Sequence, residues 1–358
     1  MLAANNLGGV LISSQHNFTW LTAGGRNGVD LSREVGNGAL LVRNDGKRFV
    51  LANRIEMPRL LSEELEGEEF EPVEFLWEEE KASPEFLPAL AMTLLGSDKA
   101  LASDIGTEPG SVPIEAAVAR CRYPLTSSEI ERFRSLASDA AEAIGNVARD
   151  LTPGETEREV ARRVANALAN HNIRAVVNLV AADDRIQQYR HPVPTEQRWG
   201  KIIMIVVCAQ RGGLIASLTR IVSSAAIPDE LHLRTLAAAK VNAQLLSATK
   251  PNTSGADLYG VAARTYAEAG FKNEERLHHQ GGATGYRTRD WVAHPACTER
   301  VQANQAFAWN PSVTGTKVEE TCIAFPDGVE VLTRTADWPQ VAVRVHGQEY
   351  LSPDILLL

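Results

Sequence analysis

The chain has 358 residues, of which 44% are hydrophobic and 23% are charged, and its formal net charge at pH 7 is −9. This length suits two domains with conventional cores, and the composition argues against a disordered protein. The negative charge disfavours any role that depends on neutralising the phosphates of nucleic acids or anionic lipids, so we expect neither a nucleic-acid nor a membrane partner.

The amino terminus and the cysteines bear on the location of the protein. Residues 1–10 lack the basic and apolar regions of a secretory signal, and the longest apolar run, KIIMIVVCAQ at 201–210, is too short to span a membrane. The four cysteines are widely spaced and form no CxxC pair. We therefore expect a cytoplasmic protein with reduced thiols and no structural zinc.

The first third of the chain is predicted to be an α/β domain. Strand-like apolar runs occupy residues 8–14, 38–44 and 48–53, and helical patterns rich in Glu and Leu follow them. The dipeptide Asp45-Gly46 lies between the second and third runs. This dipeptide predicts a tight hairpin turn.

A second domain is predicted to begin near Pro124. Thr126 stands at the position of a helix N-cap, and Glu129 follows three residues later to complete a capping box. Two amphipathic helices joined by a Pro-Gly turn precede strand-like segments, two further helices and a sheet-rich end. The sequence therefore predicts one domain over 1–123 and a second, helix-flanked sheet domain over 124–358.

The first of three polar clusters in the second domain is DDRIQQYRHPVPT. It places Tyr189 and His191 before a Pro-x-Pro stretch that stiffens the loop. His191 has the side chain whose pKa suits proton transfer near neutrality. A solvated histidine on a surface loop is an equally acceptable interpretation.

The second cluster, RLHHQGGATGYRTRDW, contains His278, His279 and Gln280 beside three glycines within five positions. Glycines let a ligand approach the backbone closely and leave amides free to bind an oxyanion, although most Gly-rich turns are only turns. Two adjacent histidines on one strand would point to opposite faces of it. In that case, at most one of them would enter a given site.

The third cluster, FAWNPSVTGTKVEETCIAF, places Asn310 and Glu319 at the margins of two apolar strands. If the strand alternates, one of the neighbours Glu319 and Glu320 faces inward. Burial would raise the pKa of that carboxylate, which suits an acid or a base. The alternative is that both are charges on an edge strand.

In this order and with these gaps, the three clusters resemble the active-site blocks of the creatinase, prolidase, aminopeptidase P and methionine aminopeptidase superfamily. The segment LISSQHNFTWLTAGG at 11–25 is similar to the amino-terminal domain of the creatinase and prolidase branch, and the region from Leu125 onward is similar to the first helix of the catalytic domain. The resemblance spans nearly the whole chain. It implies a mixed α/β (α+β) protein with a pita-bread catalytic domain preceded by a smaller, creatinase-type α/β domain.

The same resemblance implies that the two-metal centre of the metal-dependent members has been dismantled. The two aspartate positions fall on Val206 and Ser217 in VVCAQRGGLIASLTR. The histidine ligand falls on Gly282, one glutamate falls on Asn310, and Glu319 alone keeps its carboxylate. Two neighbouring divalent ions need several carboxylates to offset their charge, so we expect no metal and no cofactor at this site.

Creatinase is a metal-free hydrolase of similar fold, and the resemblance matches His191 to its proton-transferring base. His278 matches a second histidine position, whereas the glutamates of creatinase fall on Thr219 and Asn310, so creatine is a poor candidate substrate. The leading hypothesis is a hydrolase that cleaves an amide, amidine or urea-type C–N bond of a small polar molecule. In it, His191 takes a proton from water and Glu319 orients or protonates a nitrogen.

The residues expected to form the site fall into two groups. The candidate catalytic residues are His191, His278 and Glu319. The candidate substrate-binding residues lie in the three clusters or in the strand block before them, and they are Tyr189, Ser217, Thr219, Arg220, His279, Gln280, Gly282 and Asn310. No residue is assigned to a metal.

Two other functions remain open from the sequence. A non-catalytic pseudo-peptidase would bind a peptide, a metabolite or a protein, and a lyase would use the same His and Glu pair to abstract a proton from carbon. A purely structural domain is expected to fill its cleft with apolar side chains, which favours an enzyme. The creatinase branch also implies a homodimer, in which Arg26 or Arg33 would contact an anion across the interface, unless both are simply solvated.

Overall fold

The computed structural model describes residues 1–106 and 108–358, and its contacts separate a first unit, Met1–Arg122, from a second unit, Tyr123–Leu358. Both units combine helices with sheets, so the predicted mixed α/β class is confirmed. Among the described residues, no helix combines the length and the apolar character needed to cross a bilayer.

The first unit is built on one mixed sheet of six strands. The strands are β1 (Leu7–Ser14), β2 (Val35–Arg43), β3 (Arg48–Asn53), β4 (Glu71–Phe75), β5 (Ala100–Ser103) and β6 (Val112–Pro113). The helices are α1 (Gln15–Leu21), α2 (Met57–Arg59), α3 (Trp77–Ala82), α4 (Phe86–Leu94) and α5 (Glu115–Arg122). The sheet order is β4-β3-β2-β1-β5-β6, in which β2 pairs antiparallel with β1 and β3 while the other neighbours are parallel.

Alternating side chains of these strands feed two separate cores, one on each face of the sheet. Leu40 of β2 packs with residues of α1, α2 and α5, whereas the next residue, Leu41, packs with residues of α4. The predicted hairpin between β2 and β3 is confirmed, with Val42 opposite Arg48. Gly46 in its turn has φ +91°, a conformation that favours glycine.

The second unit repeats one order of elements, two helices followed by antiparallel strands. Its helices are α6 (Ser127–Arg149), α7 (Glu157–Ala169), α8 (Arg185–Gln188), α9 (Asp229–Ala248) and α10 (Gly255–Glu268). Its first strands are β7 (Arg174–Ala182), β8 (Ile202–Arg211), β9 (Leu214–Ser223), β10 (Gly281–Thr284), β11 (Trp291–Val292) and β12 (Gln305–Trp309). The remaining strands are β13 (Ser312–Val313), β14 (Thr316–Lys317), β15 (Glu320–Phe325), β16 (Gly328–Val331), β17 (Gln340–Val345), β18 (Gln348–Pro353) and β19 (Ile355–Leu357).

Two sheets carry the candidate site of this unit. One has the order β19-β9-β8-β7 and the other has the order β11-β10-β12-β15-β16. They meet along β9, where the N–H of Ile215 donates to the carbonyl of Gly285 at 2.9 Å and the N–H of Thr219 donates to the carbonyl of Glu319 at 3.3 Å. The helix α6 packs against β9, and β9 is buried along its whole length.

The predicted capping box at the start of α6 is confirmed. The hydroxyl of Thr126 accepts a hydrogen bond from the N–H of Glu129, and the carboxylate of Glu129 accepts one from the N–H of Thr126 at 2.8 Å. Thr156 and Glu159 repeat this arrangement at the start of α7. Both helices are therefore fixed at their amino ends by residues close in sequence.

Candidate active site

Three histidines from two separate loops meet in the second unit. His191 follows α8, and its Nε2 lies 3.1 Å from Nε2 of His278. The ring of His279 stacks on that of His278, with their centroids 4.4 Å apart. The two neighbours precede β10 in irregular backbone, so the expectation that adjacent histidines would face opposite ways does not hold here.

The loop that carries His191 is anchored by the residue before it. The guanidinium of Arg190 pairs with Glu274 at 2.7 Å and donates to the hydroxyls of Ser312 and Thr314 at 3.1 and 2.8 Å. These bonds connect the loop to β13 and to the turn before the histidine pair. Arg190 therefore positions His191, a role that the sequence analysis missed.

A chain of hydrogen bonds runs through Asn310 to the histidines. Arg289 donates to Oδ1 of Asn310 at 3.2 Å. Because a guanidinium has only donors, the amide nitrogen of Asn310 faces Nδ1 of His278, 3.2 Å away. Nδ1 of His278 is then the acceptor, so the proton of His278 is on Nε2 and is donated to Nε2 of His191.

The surroundings of all three imidazoles favour the uncharged form, because the pKa of each is lowered. Burial and the nearby Lys317 lower the pKa of His191 below its usual value. Burial, together with Lys317 and the two neighbouring rings, lowers the pKa of His278 to about 2. Burial and the charges of Arg289 and Lys317 lower the pKa of His279 to about 4.

Glu319 faces this cluster, and two cations pair with its carboxylate. Nζ of Lys317 is 2.8 Å from its carboxylate, a guanidinium nitrogen of Arg289 is 3.4 Å away, and the hydroxyl of Thr219 donates to it at 2.7 Å. Burial raises the pKa of this carboxylate, but Lys317, Arg289 and Thr219 outweigh it and bring the pKa to about 2. The prediction of a raised pKa at Glu319 is therefore wrong, because it left out the counter-charges.

The neighbouring carboxylate, Glu320, points to the other side of the strand. It pairs with Arg220 at 3.0 Å, and burial raises its pKa. Arg220 also donates to the hydroxyl of Thr335 and the carbonyl of Thr333. Glu319 is therefore the one that faces the histidines, and Arg220, which we expected among the substrate-binding residues, is fully buried on the opposite face.

Gln280 holds the histidine pair through a hydrogen bond to the backbone of His278. It is fully buried, accepts a hydrogen bond from the hydroxyl of Tyr266 at 2.7 Å and donates to the carbonyl of His278 at 2.5 Å. Because both ends of its amide are bound within the protein, Gln280 is placed to hold the loop. A direct contact with substrate, as the sequence analysis expected, would require one of these bonds to break.

The remaining predicted residues divide between the pocket and the interior. Tyr189 is half exposed and lines a narrow pocket with His278 and Lys317. Ser217 is fully buried, and its hydroxyl donates to the sulfur of Cys208 at 3.3 Å. Ser217 therefore lies inside the sheet and away from any opening.

Gly282 has no room for a side chain. A Cβ built on it would lie 2.0 Å from the carbonyl oxygen of Trp291, which is backbone of the adjacent strand β11. This close approach of two strands explains a glycine at the position that the resemblance matches to a histidine ligand. It also removes the backbone of Gly282 from contact with a substrate.

The residues of this chain do not fit the two-metal centre of the metal-dependent members of the superfamily. Val206 and Gly282 offer no ligand atoms, and Asn310 supplies only an amide. The surviving carboxylate, Glu319, is already neutralised by the ammonium of Lys317 and by the guanidinium of Arg289. A divalent ion at this carboxylate would meet two positive charges instead of the several negative ones it needs.

Lys317 and Arg289 are the site residues that the sequence analysis missed. Lys317 ends β14 and stands two residues before Glu319, which immediately precedes β15, and residues i and i+2 share a face wherever the backbone is extended. That spacing would have identified Lys317. Arg289 reaches Glu319 from a loop 30 residues away, and no local pattern indicates this contact.

Known proteins resemble this chain in fold and in part of its sequence. The structure is similar to the prolidase from Pyrococcus horikoshii OT3 (18% identity, 93% of this chain and 96% of that chain, TM-score 0.77) and to the Xaa-Pro dipeptidase from Bacillus anthracis (15%, 100% and 97%, 0.76). It is also similar to the N-terminal domain of the FACT complex subunit SPT16 from Cicer arietinum (11%, 93% and 92%, 0.71). No curated protein sequence matches the chain.

A family model settles the classification. The model of metallopeptidase family M24 matches residues 131–335, which is more than half of the chain and includes all three polar clusters. The similarity to prolidase structures confirms the predicted pita-bread fold with its amino-terminal domain. The chain belongs to metallopeptidase family M24, within the creatinase, aminopeptidase P and prolidase superfamily.

Proposed function

We propose that this protein is a hydrolase of a C–N bond in a small polar molecule and that it works without the two-metal centre of its family. Membership of a peptidase family supports the general reaction. The observation that carries the metal-independent part is the neutralisation of Glu319 by Lys317 and Arg289. Two protein cations pair with the one carboxylate that this chain keeps, whereas two divalent ions would need several carboxylates.

His191 is the general base in this proposal. Its Nε2 accepts the last hydrogen bond of the chain that begins at Arg289 and passes through Asn310 and His278. A water that replaces the bond from His278 can therefore give its proton to Nε2 of His191 and attack the substrate carbon, and His191 then returns this proton to the leaving nitrogen as the C–N bond breaks. His278 positions His191, and Asn310 fixes the tautomer of His278.

Lys317 and Arg289 supply the positive charge that the reaction needs. Negative charge develops on the oxygen or nitrogen of the substrate when water attacks, and fixed cations close to it stabilise that charge. Lys317 lines the same narrow pocket as Tyr189 and His278. Glu319 stays ionised and orients Lys317, so it carries no proton to give to a nitrogen of the substrate.

A substrate screen with and without chelator tests the proposal. Purified protein is assayed against amides, ureas, amidines and Xaa-Pro peptides, and its metal content is measured by elemental analysis. We expect turnover of at least one substrate to survive chelation, and the His191→Ala variant to lower kcat by at least about 100-fold. His232 is exposed on α9, so His232→Ala is the matched control.

Either of two results would refute the proposal. One is a peptidase activity that disappears on chelation and returns with manganese, cobalt or zinc. The other is a His191→Ala variant that turns over an identified substrate as fast as the unsubstituted protein. The lyase alternative is separated by its product, because a lyase consumes no water and leaves a double bond.

A non-catalytic binding module is the second candidate. It is favoured by the similarity of the structure to a domain named as a subunit of the FACT complex, since the fold is therefore compatible with a role inside an assembly. In that case, no compound of the screen is turned over. Binding of Xaa-Pro peptides without cleavage, followed by calorimetry, would support this candidate.

We further propose that the protein is a cytoplasmic homodimer that binds a small-molecule substrate. This proposal rests on the resemblance to the creatinase branch. Analytical ultracentrifugation at micromolar concentration tests the oligomeric state. A single species with the mass of one chain would count against the dimer.

A further inference from the structure

We propose that His191, His278 and His279 form a binding site for one divalent transition-metal ion of the zinc class. One ring nitrogen from each histidine lies within 4.8 Å of the others. This site differs from the position of the family's two-metal centre, because none of the three histidines corresponds to a residue that the resemblance matches to a metal ligand. It goes beyond the proposed hydrolase and does not require it.

The spacing of the nitrogens is close to what a single ion requires. Zinc binds imidazole nitrogens at about 2.0–2.1 Å, so two such nitrogens in a tetrahedral site are about 3.3 Å apart. The Nε2 atoms of His191 and His278 are already 3.1 Å apart, and metal binding displaces the proton on Nε2 of His278, which moves to Nδ1 as the amide of Asn310 turns its oxygen toward it. Bringing in His279 requires a side-chain rotation that shortens its distance to the pair by on the order of 1 Å.

His279 is free to make that rotation. Its side chain is partly exposed, and in the structure of residues 1–106 and 108–358 its ring nitrogens make no hydrogen bond. Its ring packs on His278 and lies 6.1 Å from the ring of His191, measured between centroids. A ring nitrogen of His279 is therefore available to bind a metal ion together with the nitrogens of His191 and His278.

The chemistry of the donor set selects the ion. Three neutral imidazoles suit zinc, cobalt, nickel and copper, whereas magnesium and manganese prefer carboxylate and carbonyl oxygens. Sites of three histidines without a carboxylate hold zinc in other enzymes and leave a fourth position open. The exposed side of His191 and His279 provides such a position.

The charge near the cluster is moderately positive. Lys317 and Arg289 together carry two positive charges, and Glu319 offsets one of them. The remaining positive charge weakens the binding of a divalent ion. It favours the binding of an anion, such as chloride or hydroxide, in the open position. We therefore expect affinity for the stronger binders of the series, zinc and copper, and little for weaker ones.

Metal binding would take His191 out of use as a base, because its lone pair would be donated to the ion. This consequence rests on the proposed function. Zinc would then inhibit the hydrolase, and a chelator would restore the activity. The binding itself is measured without any substrate, so the failure of one proposal does not carry over to the other.

The test uses full-length protein from which any affinity tag of histidines has been removed. Zinc and manganese are titrated separately by calorimetry, and cobalt is titrated by visible absorption. We expect one zinc ion per chain, a tetrahedral cobalt spectrum and no heat from manganese. The His279→Gln variant should bind zinc at least about 100-fold more weakly, since losing a ligand costs more than losing a residue behind one.

The His232→Gln variant is the control and should bind zinc as the unsubstituted chain does. Thermal unfolding without metal shows whether each variant is folded, and added zinc should raise the Tm of the unsubstituted chain and of His232→Gln only. Equal zinc binding by His279→Gln, binding of manganese as tight as that of zinc, or the absence of zinc binding would overturn the proposal.

Discussion

Nζ of Lys317 lies 2.8 Å from Oε2 of Glu319, and both side chains are almost completely shielded from solvent. Two groups that would each be costly to bury alone neutralise one another. Arg289 contributes a second cation to the same carboxylate at 3.4 Å. Lys317, at the end of β14, thus lies beside the only carboxylate kept from the ligand set of the family.

Replacing Lys317 by Met should destabilise the second unit. The substitution keeps the length of the side chain but leaves Glu319 buried with Arg289 as its only ionic partner. We expect the free energy of unfolding to fall by about 3 kcal/mol, since removal of one partner strands a buried charge. Urea denaturation followed by circular dichroism measures the change.

An exposed ion pair provides the comparison for this substitution. Arg158 and Glu196 are 2.7 Å apart but mostly solvated, so Arg158→Met should cost less than about 1 kcal/mol. The double variant Lys317→Met/Glu319→Gln should recover part of the loss. If Lys317→Met costs no more than Arg158→Met, the buried pair does not have the role described.

Gly282→Ala should be strongly destabilising although it adds one methyl group. The added Cβ would lie 2.0 Å from the carbonyl oxygen of Trp291, so the strands β10 and β11 must separate. We expect a loss of at least about 2 kcal/mol and a lower Tm in calorimetry. Gly328→Ala, where nothing lies within 4 Å of the new Cβ, should leave the Tm nearly unchanged, and equal effects would contradict the steric argument.

Arg190→Met should loosen the loop that carries His191. It removes the charged hydrogen bonds to Glu274, Ser312 and Thr314, which we expect to cost about 2 kcal/mol. Hydrogen exchange followed by mass spectrometry should show faster exchange over residues 183–199. Arg344→Met, at an exposed position, is the control, and unchanged exchange in the loop would rule out the anchoring role.

The first unit should lose stability in acid through Glu115. Burial raises the pKa of this carboxyl, but the bonds from His16 and Asn17 and the charge of Arg122 lower it to about 2. Because the pKa in the folded state is below the ordinary value of 4.5, the stabilisation is present above pH 4.5 and is lost as the pH falls toward 2.

Comparison of the unsubstituted chain with Glu115→Gln measures this contribution. We expect the difference in Tm between them to be largest near about pH 6 and to shrink steadily below about pH 4. Differential scanning calorimetry across this range follows both proteins. A difference that does not change with pH would show that Glu115 contributes through its shape and not through its charge.

Features set by neighbours in the chain could be predicted from the sequence. The capping box of Thr126 and Glu129 and the hairpin at Asp45-Gly46 depend on residues at most three positions apart, and both are present. The order of the polar clusters likewise indicated the family, because the resemblance rests on blocks of consecutive residues. Local chemistry was sufficient for these.

The site depends on contacts between distant segments, and there the prediction was incomplete. His191 and His278 are 87 residues apart, yet their ring nitrogens touch, and the histidine pair lies in irregular backbone where strand alternation does not apply. Glu319 stays ionised because of Lys317 and Arg289, and no spacing rule connects Arg289 to it. Electrostatic contacts between residues far apart in the chain are therefore the feature of the site that only the three-dimensional structure shows.

The cations that hold Glu319 belong to the polypeptide itself. A bound ion can dissociate on dilution, be removed by a chelator or be in short supply. The ammonium of Lys317 and the guanidinium of Arg289 are part of the polypeptide and cannot dissociate from it. The charge of Glu319 is therefore neutralised as soon as the chain has folded. The negative charge of Glu319 is therefore balanced without any component that the surroundings must supply.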